Sequence, residues 1–346
     1  MDCNRVFVKD LTVKKLSLIA QEDDAGRRLD RILRKALPDY PLSAIHRILR
    51  KGRVLVNGKP GRGEDRISAG ALIELTDKES KDTAGVNKGR ADFLQQKNIS
   101  KINIIWNEDG LLILNKPAGL SVHGGSGQED NLDMRVKEYC KRKLPPSLSF
   151  RPGPLHRLDK ASSGIVVFAL NLEAAKRFSA LIKERKIRKQ YLAVLEGELK
   201  QSESWKETLV RDQKAQKTFV ACGSGRNQKE ALTFITPLAR ANYNGTAYTY
   251  ARLEIKTGRT HQIRAQAAYH GHPLAGDRKY GGHPLPRPYT GFFLHARELE
   301  FPLEPNAESE IPLVIRAPLP KAFAEIVNKL FDNFEKRIQP VKKKSG

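Results

Sequence analysis

A chain of 346 residues with 39% hydrophobic content is able to bury a core, and its length points to two domains or one large domain with an appendage. The 62 Lys and Arg against 39 Asp and Glu leave a net charge of +23, which favours a polyanionic partner because basic side chains gain free energy by displacing counterions from phosphates. No run of 18 apolar residues reads as a membrane span, the basic N-terminus lacks an apolar signal core, and the scattered Cys3, Cys140 and Cys222 fit neither a disulfide framework nor a zinc site, so a soluble, cytoplasmic protein is expected.

In GRRLDRILRKAL at 26–37, Leu29, Ile32, Leu33, Ala36 and Leu37 recur at helical spacing, and Pro38 and Pro41 end the pattern. Ser43 is the expected N-cap of a second short helix carrying Ile45, Ile48 and Leu49, with Gly52 just past its end. RVLVNGKP then alternates Val54 and Val56 and turns at Asn57-Gly58, which predicts a hairpin. This makes a small domain over 18–76, ending near ALIEL at 71–75 and followed by a polar linker at 77–100. A larger domain is expected over 101–335, with a basic tail at 336–346.

The larger region opens with two strands around the Asn107–Gly110 turn and a Gly- and Pro-rich loop. GIVVFAL at 164–170 reads as a buried strand, and LEAAKRFSALIKERK as an amphipathic helix with Leu172, Ala175, Phe178, Leu181 and Ile182 on one side. QYLAVLEG and AYTYARLEI are further strands, and THQIRAQAAYHGH is a helix with Thr260 as its expected cap. Strands and helices mix without βαβ alternation, so the fold class is α+β on a mainly antiparallel sheet.

Within residues 26–59 there are ten basic residues (Arg27, Arg28, Arg31, Arg34, Lys35, Arg47, Arg50, Lys51, Arg53, Lys59) and two acidic ones, Asp30 and Asp39. Arg27, Arg31, Arg34 and Lys35 share the helix side away from the apolar stripe, and Arg47, Arg50 and Lys51 repeat the pattern on the second helix. A solvated face would balance its signs; this one is nearly all basic, and Arg forks match phosphate geometry. The order GRRLDRILRK…SAIHRILRKGRVLVNGK also resembles the S-four-like RNA-binding module over roughly residues 18–76.

Three later segments carry chemistry. PLHRLDKASSGIVVFAL at 154–170 sets Asp159 at the mouth of a buried strand; RKQYLAVLEG begins a strand at Tyr191; LEIKTGRTHQIRAQ starts a helix holding Arg264. Singly, each has a plain alternative: a cap or surface ion pair for Asp159, packing for Tyr191, an ion-pair partner for Arg264. Together, HRLD with its Ser-Gly, the basic-Tyr-apolar strand, and TGRTHQIR followed by GHPLAGDRKYG resemble the RluA/RluC/RluD-type pseudouridine synthases in content and order. ILNKPAGLSVHGGSG at 113–127 and FFLHARELEFPLEP at 292–305 extend the resemblance to about residues 18–330, and the Val122–Gly127 loop leans toward the RluC branch, which modifies large-subunit ribosomal RNA. The sequence departs from the usual pattern at Lys160-Ala161-Ser162, where relatives carry Asp or Gly and then Thr; Ser162 keeps the hydroxyl.

The resemblance implies a pseudouridine-synthase fold behind a small S-four-like domain. Asp159 would act at the ribose carbon as the glycosidic bond breaks, where a carboxylate stabilises cation-like character. Arg264 would pair with Asp159 to keep it ionised and oriented, and Tyr191 would abut the uracil and help move a proton. Arg157 and His156 would fill the gap left by the flipped nucleotide, and Arg259 and His261 of the TGRTHQIR string join Arg27, Arg31, Arg34, Arg47, Arg50 and Lys51 in contacting RNA. The reaction is an isomerisation, so no cofactor is expected. No metal is expected either, since His270 and His272 lack a third ligand. The partner is structured RNA, most simply ribosomal, and a monomer is expected for want of a long apolar seam. The alternatives are a non-catalytic RNA-binding or ribosome-assembly protein on the same scaffold, and a glycosylase that releases free base.

Overall fold

The computed structural model describes residues 14–77, 102–124, 130–141, 143–144, 147–221, 223, 225, 227–285, 289–302 and 311–331. The linker expected at 77–100 from residue 78 onward, the loop residues Gly125, Ser126 and Gly127, and the tail 336–346 lie outside them. The chain divides into two units: residues 1–101, 135–153 and 169–175 make one, and 102–134, 154–168 and 176–346 the other.

In the first unit the helical spacing becomes helices Leu29–Ala36 and Leu42–Arg50. Leu29, Ile32, Leu33, Ile45, Ile48 and Leu49 turn their apolar stripes into one core with Leu18, Val54 and Ile73. Ser43 is not the cap of the second helix. Pro41 enters it at φ −63° and its carbonyl accepts the Ala44 and Ile45 amides, so the helix begins at Leu42 and leaves Ser43 inside the first turn. Asn57 and Gly58 take φ of 50° and 77°, the pair that a tight hairpin turn demands, and Leu55 and Val56 pair with Pro60 and Lys59. The resulting four-stranded sheet runs Lys14–Ile19, Leu72–Asp77, Val54–Val56, Lys59–Pro60. Residues 147–149 are tied into this unit by the buried Asp24 carboxylate. It accepts the Ser147 hydroxyl at 2.9 Å, the Leu148 and Ser149 amides at 3.0 and 2.8 Å, and the Ser149 hydroxyl. Burial alone would raise the Asp24 pKa; these donors, with the Gln21 amide, hold it below the ordinary carboxylate value.

The second unit is built on an 11-stranded sheet of the described residues. Along it run Lys217–Val220, Glu203–Asp212, Lys229–Tyr243, Thr246–Ile255, Arg188–Glu196, Leu294–Glu300, Ser163–Ala169, Leu111–Lys116 and Ile104–Glu108. Pairing is antiparallel from the first of these to Leu294–Glu300, which then lies parallel to Ser163–Ala169. All seven residues of Ser163–Ala169 are buried, as its unbroken apolar run requires. Gly164 makes the parallel pair possible: at φ 110° it lies so close to the next strand that a Cβ there would meet the Ala296 carbonyl oxygen at 2.3 Å. Ala296 is in turn the register partner of Tyr191, so the segment behind Asp159 and the strand of Tyr191 are one strand apart. Helix Lys321–Leu330 covers Tyr250 and Val194 with Phe323, Ile326, Val327 and Leu330.

Candidate active site

Asp159 occupies a tight turn whose Ser162 amide donates to the Asp159 carbonyl at 3.1 Å, just before strand Ser163–Ala169 begins. The turn is held from behind through its backbone. The Lys160 carbonyl accepts the Gly119 amide at 2.8 Å and the Lys116 ammonium at 3.2 Å. Lys116 has no exposed surface, and its other donors go to the Pro117 and Leu120 carbonyls at 2.9 and 2.7 Å. Burial drives the Lys116 pKa down to about 8, against the opposing pull of Asp159. The Lys160 side chain is exposed, while Ser162, where the hydroxyl is kept, is buried.

The Asp159 side chain is 19% exposed, and its Oδ2 accepts from Arg264 Nη1 at 3.0 Å. Arg264 projects from helix Gln262–Tyr269 and is itself 8% exposed. Its Nε and Nη2 are clamped on Asp277 Oδ2 and Oδ1 at 2.6 and 2.9 Å, and Asp277 is 2% exposed. The guanidinium carbon lies 4.8 Å from the Tyr280 ring centre and 4.5 Å from that of Phe292. Burial alone would lower the Arg264 pKa, yet Asp277 and Asp159 raise it above its ordinary value. One guanidinium edge is thus fixed by a buried acid, leaving the remaining nitrogen aimed at Asp159. The loop bearing Asp277 is equally tight: Gly276, at φ 88°, would set a Cβ 2.0 Å from the Gly291 carbonyl oxygen.

Thr260 does not cap this helix. His261 does so from a left-handed conformation at φ 53°, with no side-chain cap bond. The Thr260 carbonyl accepts the Thr218 hydroxyl at 2.9 Å, and the helix start is anchored by the buried Gln262 amide. That amide accepts from the Thr257 hydroxyl at 2.7 Å and the Arg259 amide at 3.1 Å, and donates to the Leu232 carbonyl and Thr233 hydroxyl. The His261 imidazole stands beside the acid, with its Nε2 3.7 Å from Asp159 Oδ1. Tyr191 is buried, and burial together with the Asp159 charge holds its phenol above its ordinary pKa, so it is a neutral donor.

The structure therefore brings Asp159, Arg264 and His261 into contact and sets Tyr191 within reach of the same charge. His156, expected to contact RNA, is half-buried. The imidazole points inward, where Nε2 accepts the Val167 amide at 3.1 Å and the ring stacks on Phe178 at 6.3 Å. Burial, with Lys189 adding to it, pushes the His156 pKa down to about 4. Arg157, the next residue, is exposed. Arg27 is half-buried and donates to the Ser149 hydroxyl at 3.0 Å, whereas Arg31, Arg34, Arg47, Arg50 and Lys51 are exposed. Arg259 is half-buried, and its Nε donates to the Glu230 carbonyl at 3.0 Å. His270 stacks on Trp205 at 4.8 Å and bonds to Glu207, while His272 bonds to the Glu196 carbonyl; the two share no partner. Lys116, Asp277 and Tyr280 escaped the sequence reading, although NKPAG and GDRKYG were the strings to question.

Residues 110–269 match the RNA pseudouridylate synthase family and residues 27–73 match the S4 domain. The chain is 32% identical to ribosomal large subunit pseudouridine synthase C of Vibrio vulnificus (strain CMCP6) over 319 residues, 89% of this chain and 94% of that protein. It is 31% identical to the synthase C of Escherichia coli (strain K12), over 92% of this chain and 97% of the relative. A ribosomal large subunit pseudouridine synthase D, from Haemophilus ducreyi, is 30% identical over 91% of this chain and 94% of its own length. Among solved structures, human RNA pseudouridylate synthase domain containing 1 superposes with a TM-score of 0.53 at 23% identity, covering 71% of this chain and 99% of that one, a likeness of fold. Identity of this extent along most of the chain, joined to both domain matches, makes the protein a member of the RNA pseudouridylate synthase family.

Proposed function

We propose that the protein isomerises specific uridines of large-subunit ribosomal RNA to pseudouridine in the cytoplasm, as a monomer, with Asp159 as the catalytic acid group. The observation that carries this reading is the 3.0 Å pair between Arg264 Nη1 and Asp159 Oδ2, in which Asp277 fixes the guanidinium and part of the carboxylate stays open. The target nucleotide leaves the RNA stack, and exposed Arg157 enters the gap. The bond from the ribose anomeric carbon to N1 breaks, with Asp159 stabilising the cation-like sugar carbon. The uracil turns and bonds through C5; the C5 proton departs and N1 gains one, so the composition of the nucleotide is unchanged. Neutral, buried Tyr191 lies on the route of that proton. Residues 18–76 act as the grip on RNA through the exposed faces carrying Arg31, Arg34, Arg47, Arg50 and Lys51.

The test is carbodiimide mapping of pseudouridine in ribosomal RNA from cells with and without the protein, together with turnover of Asp159→Asn on the mapped RNA. Sites that vanish without the protein and a variant that binds but does not isomerise are expected. Variant turnover within tenfold of the native protein overturns the reading. Release of free uracil would instead favour glycosylase chemistry.

A further inference from the structure

Arg264 takes only one oxygen of Asp159. The other, Oδ1, faces His261 Nε2 at 3.7 Å, and what that nitrogen offers depends on which tautomer the imidazole adopts. The surrounding atoms favour one of the two. The Thr218 backbone amide donates to the Tyr280 phenol oxygen at 2.8 Å, so that oxygen is an acceptor there and keeps its own hydrogen for another partner. His261 Nδ1, 2.9 Å away, is in place to take it. With Nδ1 as the acceptor of that hydrogen, the neutral ring carries its proton on Nε2, the nitrogen turned to Asp159. Burial, with Arg264, Arg211 and Lys279, outweighs the pull of Asp159 and holds the His261 pKa below its ordinary value, which favours the neutral ring. Tyr280 is itself fixed, with its ring beneath the Arg264 guanidinium and edge-on to His261 at 5.7 Å. The left-handed backbone at His261 is unfavourable for a residue with a Cβ, and it persists here next to the acid, where the surroundings over-determine it.

We propose that His261 is a positioning residue for Asp159: its Nε2–H, locked by the hydrogen bond from Tyr280 to Nδ1, steadies Oδ1 while Arg264 steadies Oδ2. The carboxylate is then oriented from both sides by two donors whose own directions are set by Asp277 and Tyr280. The separation of 3.7 Å is long for a hydrogen bond, and such contacts tighten when substrate fills the site. The inference rests on Asp159 being the catalytic group, and its test has one arm that does not.

That arm is nitrogen NMR of the free enzyme, which distinguishes the two neutral tautomers at His261. The Nε2–H form is expected in the native protein and a mixture in Tyr280→Phe, whose ring is kept but whose hydroxyl is gone. An Nδ1–H tautomer in the native protein overturns the proposal whatever Asp159 does. The kinetic arm compares His261→Gln, whose amide reaches the place of Nε2, with His261→Asn, whose amide reaches only that of Nδ1. A fall in kcat of about tenfold with KM unchanged is expected for the Asn variant and most of it is recovered by Gln, the size of one lost hydrogen bond. Equal kcat in the two variants overturns the positioning role, while failure of Asp159→Asn to lose activity removes the catalytic reading and leaves the tautomer result standing.

Discussion

Arg264 and Arg34 carry the same guanidinium into opposite surroundings. The first is 8% exposed, held by Asp277 and Asp159 between the rings of Tyr280 and Phe292. The second stands in solvent on helix Leu29–Ala36, beside Arg31 and Lys35. Burial makes the first interaction strong and directional, because neighbouring dipoles and charges act at short range without water to screen them. Exposure makes the second adaptable: basic groups that keep their hydration attract phosphates at long range and tolerate many backbone geometries. Precision at one atom and tolerance over a surface call for the same residue type in different solvents.

The comparison breaks most severely at its buried end. Asp159→Asn is expected to lower kcat on the order of a thousandfold or more, with RNA affinity retained, as single-turnover kinetics and filter binding would register. Asp277→Asn comes next. It removes the charge that clamps Arg264 without touching Asp159, and kcat should fall roughly ten- to a hundredfold with little change in KM. If KM rises instead and kcat holds, Asp277 serves binding and the clamp has no part in orientation. At the exposed end, replacing Arg31, Arg34 and Arg50 together by Gln should flatten the slope of log affinity against log salt by about two units, since each phosphate contact contributes roughly 0.7–0.9. Turnover on saturating RNA should not move. An unchanged slope would show that this face is not where RNA is held.

The smallest effect sharpens the comparison with a neutral group. His295 is fully buried, its Nδ1 accepts the Ser163 hydroxyl at 2.9 Å, and its Nε2 donates to the Ala317 carbonyl at 3.2 Å. Burial pushes its pKa down from 6.5 to about 4. Between those values the unfolded chain takes up a proton that the folded chain refuses, so stability present above pH 6.5 drains away as pH falls toward 4. The melting temperature should drop across that window, and less steeply in His295→Gln, although that variant starts lower at neutral pH. Parallel slopes in the two proteins would remove His295 as a source.

Much of this was legible in the sequence, for identifiable reasons. The two apolar stripes, the Asn57-Gly58 hairpin and the unbroken strand after Ser162 are local signals, and each became the element expected. Asp159, Tyr191 and Arg264 were singled out through the strings that surround them, and the structure brings Asp159 and Arg264 together across 105 positions of sequence. What the strings did not record was side-chain direction. A sequence gives residue type, and whether His156 faces solvent or Val167, or Arg27 meets phosphate or Ser149, is decided by side-chain packing that no spacing records. Cap assignments at Ser43 and Thr260 failed for a related reason: Pro41 and the left-handed His261 fix those helix starts through backbone geometry. Helix Lys321–Leu330 shows the opposite lapse, because Phe323, Ile326, Val327 and Leu330 follow the period of a buried face.

The turn at 159–162 is braced by the Lys160 carbonyl against Gly119 and Lys116, while the Lys160 side chain reaches outward. Every amino acid supplies that carbonyl. The brace on the turn is therefore indifferent to which side chain stands at 160, and an exchange of Lys160 leaves both of these backbone hydrogen bonds in place.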